Sequence, residues 1–438
     1  MTMVMGRIQG RAAPLSLTER IVFWTIVLAP VWWLTGIQTL LYPGVVLGLV
    51  VMNLHWTKLY DLRLSKAAWG WLAMTLTMLW TAMLGLNRVG YDPIQVTAIL
   101  VTLFKSYLLL LSCLVLPCLT PIRLMVVTRA VVWYAIGALA VLLIELVLLV
   151  VLRNGGMDQF LPIFARLIPG DKVTLIIHLA SFQEFFGILL PRTGLYTPDA
   201  PILGVCSIMF FLVCLGESKP WLRWTSLSGC LAMLLISQSR LAWVTFPICL
   251  FLLSLFRQDI FRQGILWFAA TVSLVCTVLG QSMGDFITRP LDMFNSGRPE
   301  SSRDRAMVIQ ATIEAWQQRP WFGWGTIQGT VKWYTYEVAL GSFSTYPAVL
   351  YMHGIFGFCV FVMAMVLTVT SAWPGAIAGR VEPQRAVIGL LALYFLCNAT
   401  PLSWMLSNFW SFFLWLGVLI APPQRSVAIM PRVSTAEW

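Results

Sequence analysis

Arginine is the side chain around which chemistry gathers in this sequence. Arg192, Arg240, Arg298, Arg303, Arg305 and Arg319 fall between apolar runs, with no comparable set of acids beside them. A guanidinium stays charged and offers a planar fork of donors that holds a phosphate through two hydrogen bonds. Arginines at a membrane boundary also snorkel to phospholipid phosphates, which is the plainer role for any one of them. Arg192, behind Pro191, and Arg240, after Ser237-Gln238-Ser239, sit where helices are expected to emerge. From there they can converge with the loop arginines on one anion, and a lipid diphosphate suits such a cluster.

Other chemistries find less support. His55, His178 and His353 are too scattered for a zinc site, and His353, before Gly354 in an apolar run, reads first as a packed hydrogen-bonder. No glycine-rich phosphate loop precedes a helix, no Ser-His-Asp set suggests itself, and no Asp-x-Asp offers metal ligands in the outer segments. No metal and no cofactor are therefore expected. The nine cysteines lie in apolar runs without metal-ligand spacing and read as packing residues. The formal charge of +11 points to anionic membrane lipids as partners. No Lys/Arg run is interleaved with aromatics on a soluble domain, so nucleic acid is not expected.

The elements that must position these arginines are membrane helices. Of 438 residues, 59% are hydrophobic and 11% charged, where a soluble domain carries about a quarter charged. A span needs about 20 apolar residues. Spans are expected near 21–36, 38–54, 67–86, 94–116, 124–152, 200–217, 221–238, 241–256, 263–282, 345–371, 385–399 and 404–421. The first is read as a retained helix, because no small-residue cleavage site follows it. The fold expected is an all-α polytopic membrane protein of about twelve helices, one domain over 1–438. Short turns bearing Lys58, Arg63, Lys66, Arg123, Lys219, Arg223, Arg257, Arg262, Arg380 and Arg385 place both termini in the cytoplasm of a bacterial inner membrane. Two long segments, 153–199 and 283–344, then face the periplasm.

Within the first segment Thr174, His178, Ser181 and Glu184 recur at helical spacing, which predicts an amphipathic interfacial helix over 173–190. In the second, Ser301-Ser302 before Asp304 resembles an N-cap, and 303–318 reads as a helix stopped by Pro320. The turn Trp321-Phe322-Gly323-Trp324-Gly325 is too glycine-rich to be helical. Lys105 and Glu145, at comparable depth in adjacent spans, are expected to pair. Asn398 and Asn408 are expected to bond between helices.

Four motifs, in order, resemble the O-antigen ligase/polymerase superfamily. Pro191-Arg192-Thr193-Gly194 through Pro198-Asp199 resembles its "R-x-G-x-x-x-x-P-N" segment, and Ser237-Gln238-Ser239-Arg240-Leu241-Ala242-Trp243 its "S-x-S-R-x-A-W/L" helix start. Arg303, Arg305 and the stretch Ala311 to Gly325 are similar to its large loop, "R…W/Y-x-A…P-x-x-G-x-G". Gly341-Ser342-Phe343-Ser344-Thr345-Tyr346 with Gly354-Ile355-Phe356-Gly357 resembles its closing "G-S-H-S-T-Y…G-x-x-G".

The resemblance implies a membrane glycosyltransferase of about twelve helices. Its donor would be an undecaprenyl-diphosphate-linked oligosaccharide, and its acceptor a lipid-linked repeat (polymerase) or lipid A core (ligase), without metal. Arg192 and Arg305 would take the family's essential arginine roles. Arg240, Arg303, Arg319, Ser344 and Tyr346 would bind substrate. Phe343 stands where the family has histidine and cannot accept a proton, so Glu337 and His353 are candidate bases. The lack of a lipid A-recognition feature and the Ser-Thr-Tyr variant favour polymerase over ligase. A lipid-linked oligosaccharide flippase would share the arginines but calls for related halves and broken helices at the midplane. An inactive scaffold is the reading that Phe343 would support.

Overall fold

The computed structural model describes residues 14–55, 62–152, 159–164, 176–185, 187–257, 299–333 and 336–422. The chain is mostly helical. The helices are α1 (Leu17–Val27), α2 (Ala29–Thr35), α3 (Gln38–Asn53), α4 (Lys66–Val89), α5 (Pro93–Lys105), α6 (Tyr107–Leu119) and α7 (Leu124–Leu152). They continue with α8 (Ala200–Cys214), α9 (Pro220–Ser237), α10 (Arg240–Arg257), α11 (Pro299–Gln317), α12 (Thr345–Ile377), α13 (Val381–Leu396), α14 (Leu402–Met405) and α15 (Trp410–Ile420). Three two-stranded antiparallel ladders join β1 (Gln159–Phe160) to β2 (Ile177–His178), β3 (Ser181–Phe185) to β4 (Ile188–Arg192), and β5 (Thr330–Trp333) to β6 (Tyr336–Ala339).

Local signals account for many boundaries. Ser16 and Glu19 close a reciprocal capping box on α1. The Ser65 hydroxyl caps α4, which ends at Gly90 in the left-handed region (φ 90°). Among the described residues, Lys66–Val89, Pro93–Leu119, Leu124–Val151 and Thr345–Ile377 are long and apolar enough to cross a membrane. A fifth span results if α1 and α2, which meet at 60°, count together. Helices stand at the other expected positions within the described residues, several of them short, such as α3, α8 and α15. The expected span at 263–282 lies outside the described residues. Among the described residues, four or five spans are thus long and apolar enough to cross a membrane, which suggests a multi-pass membrane protein.

The run Pro93–Leu119 is not straight. Between α5 and α6 the backbone of Ser106 leaves helical geometry (φ −113°, ψ −106°), so Lys105 ends one helix and Tyr107 begins the next. The expected Lys105–Glu145 pair is not formed: Lys105 lines the cavity described below. Glu145, on α7 and 4% exposed, has Thr193 and the Ala180 backbone as polar neighbours, yet neither carboxylate oxygen is aligned in a hydrogen bond among the described residues. A buried carboxylate without a bonded partner is destabilising. Glu145→Gln is therefore expected to stabilise the protein by about 1–3 kcal/mol, measured as a raised midpoint of thermal unfolding in detergent.

The second correction concerns 173–190. The described part holds β2, paired with β1, and the β3–β4 hairpin rather than an amphipathic helix, and Thr174 lies outside the described residues. Along 181–185 exposure alternates with period two: Phe182 and Glu184 face out while Ser181 and Gln183 are half-buried. Gly187, at φ 75°, supplies the reversal between the strands. The four polar residues matched helical spacing by coincidence, and cross-strand pairing overrode it. Asn398 and Asn408, expected to bond between helices, donate within their own local turns, to Phe395 O and to Trp404 O and Met405 O.

The described core gathers on α8, buried along its whole length, and α4 packs closely against α12. Trp71 Nε1 donates to Thr368 Oγ1 at 2.8 Å, and a Cβ at Gly70 would come within 2.9 Å of the Ala364 backbone. The end of the bundle formed by the start of α1, the start of α7 and the turn after α8 carries the ion pairs Arg123–Glu19 (2.8 Å) and Arg129–Glu217 (2.7 Å). The opposite end holds the site.

Candidate functional site

A cavity of about 460 Å³ opens at that end, between the β3–β4 hairpin, the head of α8, the α5–α6 break and the segment between α13 and α15. Arg192 and Arg305 both line it. Arg192 closes β4, opposite Ser181 in the ladder. Its Nη1 donates to Gln183 Oε1 at 2.7 Å, and its Nε lies 3.4 Å from the Ser237 carbonyl that accepts it. The alternation of β3 puts Gln183 on the same side as Arg192, which a helix over 173–190 would not have done. Gln238, at φ 47°, ends α9 and donates from its amide to the carbonyls of Leu190 (3.3 Å) and Pro191 (3.1 Å). The Ser-Gln-Ser-Arg motif therefore stitches the hairpin to two helix ends. It is also where α8 and α10 come closest: a Cβ at Gly204 would lie 2.8 Å from those of Ser239 and Ala242.

Arg305 arrives from α11. Its Nη1 donates to the Ala399 carbonyl at 3.3 Å, and its guanidinium carbon stands 5.4 Å from the Phe343 ring centre. Burial pushes the Arg305 pKa below its ordinary value, and the negative charge of Asp199 acts the other way. Arg240, at the head of α10, is close enough to feel the Arg305 charge, though it does not itself line the cavity. Three bonds fix the wall behind Phe343. The Gly341 amide donates to Thr312 Oγ1 of α11 (3.0 Å), Thr345 Oγ1 donates to the Thr400 carbonyl (2.8 Å), and the Leu402 amide donates to Thr345 Oγ1 (2.8 Å).

The remaining sequence-derived candidates lie elsewhere. Glu337, on β6, is exposed and accepts from Thr330 Oγ1 at 2.8 Å. His353 is buried inside α12 and shares a 2.7 Å hydrogen bond with Thr81 Oγ1 of α4; it lines a separate cavity of about 80 Å³. Neither expected base reaches the arginine cavity. Tyr346 turns into the core and donates to the Tyr394 carbonyl at 2.6 Å. Ser344 is buried at the N-cap of α12, and Arg303 is exposed on α11. Arg319 lies with its guanidinium carbon 4.0 Å from the Trp324 ring centre, in the aromatic turn rather than the cavity. Arg298 lies outside the described residues.

That turn docks into a break in α12. At Gly354 (φ 66°, ψ −169°) the helix opens, and its backbone groups pair with the turn as a strand would. The Trp324 and Gly325 amides donate to the Tyr351 (2.9 Å) and Met352 (2.8 Å) carbonyls, while the Ile355 and Phe356 amides donate to Pro320 (2.8 Å) and Trp321 (3.2 Å). The two-glycine spacing of the turn answers a steric demand: a Cβ at Gly325 would lie 2.0 Å from the Thr81 carbonyl oxygen.

Sequence reasoning missed three residues of the cavity wall, Lys105, His178 and Asp199. The sequence pairs Lys105 with Glu145, since no proline or glycine marks the break at Ser106. His178 fits the polar face of a helix by spacing and stands on β2 instead. Asp199 passed as the close of a motif, although its place one residue before an apolar run beginning Ala200-Pro201 was a visible signal.

No curated protein matches the chain. Residues 225–362, from within α9 to within α12, match the O-antigen ligase family, so about a third of the chain is similar to that family.

Proposed function

We propose that the protein is an inner-membrane glycosyltransferase that moves an undecaprenyl-diphosphate-linked glycan onto an acceptor sugar of a cell-surface polysaccharide. The observation that carries this reading is the meeting of Arg192 and Arg305 in one cavity at the end of an apolar helix bundle. As the C1–O bond of the donor sugar breaks, negative charge gathers on the diphosphate. Guanidinium groups already in position stabilise that charge without reorganising, and most strongly where water is scarce. Arg305 is tethered through the Ala399 carbonyl and Arg192 through Gln183 and the Ser237 carbonyl, so both are held for the task. Arg240 reinforces the positive field, while Arg303, Arg319, Ser344 and Tyr346 act through the surrounding frame.

In this reading the cavity opens to the periplasm, the prenyl tail lies along the bundle, and both termini are cytoplasmic. The acceptor is the next lipid-linked repeat, which makes the protein a polymerase. The test is reconstitution of the full chain with a defined undecaprenyl-diphosphate oligosaccharide, offered either a second lipid-linked repeat or lipid A core. Longer lipid-linked glycans and released undecaprenyl diphosphate are expected with the first acceptor. Product only with lipid A core would make it a ligase. Movement of the lipid across the bilayer without any new glycosidic bond would make it a transporter. Because arginine supplies the positive charge, turnover is expected to persist in EDTA; its loss, restored by a divalent cation, would overturn the metal-free mechanism.

A further inference from the structure

With Phe343 in the cavity wall and both Glu337 and His353 outside it, the acceptor hydroxyl needs another group to take its proton. One carboxylate faces the cavity from the described residues that line it, that of Asp199. Asp199 occupies the N-cap position of α8 with extended backbone (φ −149°, ψ 146°), yet its side chain makes no capping bond. An aspartate at an N-cap ordinarily spends its carboxylate on the first amides of the helix. Here the capping work falls to backbone, with Ile202 N donating to the Asp199 carbonyl, and the carboxylate stays exposed to the cavity. It shares the cavity lining with Arg305, whose guanidinium carbon stands 5.4 Å from the Phe343 ring centre. Asp199, where the motif pattern given above has asparagine, and Phe343, where it has histidine, thus border the same space.

From this arrangement we infer that Asp199 is the proton acceptor of the transfer, a catalytic residue standing where Phe343 leaves a gap. The inference rests on the glycosyltransferase reading. The acceptor oxygen forms its bond to donor C1, and the C1–O bond to phosphate breaks. The bonding pair departs with the diphosphate toward Arg192 and Arg305. The acceptor hydroxyl proton passes to the Asp199 carboxylate, which returns it to water after product leaves.

Asp199→Asn separates this role from the structural ones. Asparagine caps helices as well as aspartate, so the helix keeps its start. Removing a negative charge beside a bound diphosphate does not weaken the donor, so its KM is expected to stay or fall. The kcat is expected to drop about a hundredfold, the usual scale for losing a positioned base. Asp199→Glu, which keeps a carboxylate, should lose less. Adding Phe343→His to Asp199→Asn should recover much of the lost rate, since an imidazole then stands at 343 beside Arg305, in addition to that of His178 already in the wall. Thermal unfolding of each variant in detergent checks that the fold is kept.

Wild-type kcat in Asp199→Asn would overturn the assignment, as would a raised KM with kcat intact, which would make Asp199 a binding residue. Arg305→Ala in the same assay keeps the two ideas apart. If Arg305→Ala is inactive and Asp199→Asn is not, the glycosyltransferase reading stands and the proton assignment falls. No turnover by the wild-type chain with either acceptor would remove both.

Discussion

Arg305→Ala is expected to abolish measurable transfer, a loss of about a hundred- to a thousandfold in kcat, with the fold intact. Arg305 comes to the cavity from a loop helix and is held by a carbonyl and an aromatic face rather than by an ion pair at bonding distance. Its alanine variant leaves no buried carboxylate behind, so the stability cost is small and the effect falls on chemistry. Arg305→Lys should recover only a fraction, because an ammonium makes a point contact where the guanidinium bridges two oxygens and keeps its carbonyl tether. The check is single-turnover release of undecaprenyl diphosphate by the purified variants. Full activity in Arg305→Ala would end the diphosphate assignment.

The largest structural effect is expected at Gly354. A Cβ there would sit 2.3 Å from the carbonyl carbon and oxygen of Trp321, in a backbone conformation (φ 66°, ψ −169°) that residues with side chains avoid. Gly354→Ala should cost about 3–5 kcal/mol and release the aromatic turn from the broken helix. Gly48→Ala is the control. Gly48 lies inside α3 with nothing within 4 Å of the added carbon, so alanine there should be neutral or stabilising by up to about 1 kcal/mol. Thermal unfolding of the two variants, with limited proteolysis to follow the turn, makes the comparison. Equal midpoints would show that the turn contributes nothing to the stability of the frame.

Several features of the site were legible in the chain before folding was considered. The helix expected over 303–318 largely coincides with α11, and its stop before Pro320 is a local signal, but α11 begins at Pro299, so Ser301-Ser302 lie inside the helix and do not cap it. The aromatic turn was legible as non-helical from Gly323 and Gly325, although its seat in α12 was not. The hairpin at 181–192 was hidden because four polar residues matched a helical period, and only pairing with β4 decided against it. His353 drew notice as a rare titratable residue in an apolar run, and Thr81, more than 250 positions away, decides its partner.

What the sequence by itself determined is the membrane body and the arginine chemistry. Both follow from residue type: apolar runs seek lipid in any arrangement, and a guanidinium stays charged wherever it is placed. Tertiary structure alone decided which of those groups meet. The break at Ser106 turns Lys105 into the cavity, the β3–β4 ladder sets Gln183 against Arg192, and the head of α8 places Asp199 in the cavity that Arg305 lines. Each of these depends on contacts between residues far apart in the chain, where backbone groups of one segment satisfy another. No window of neighbouring residues records such contacts.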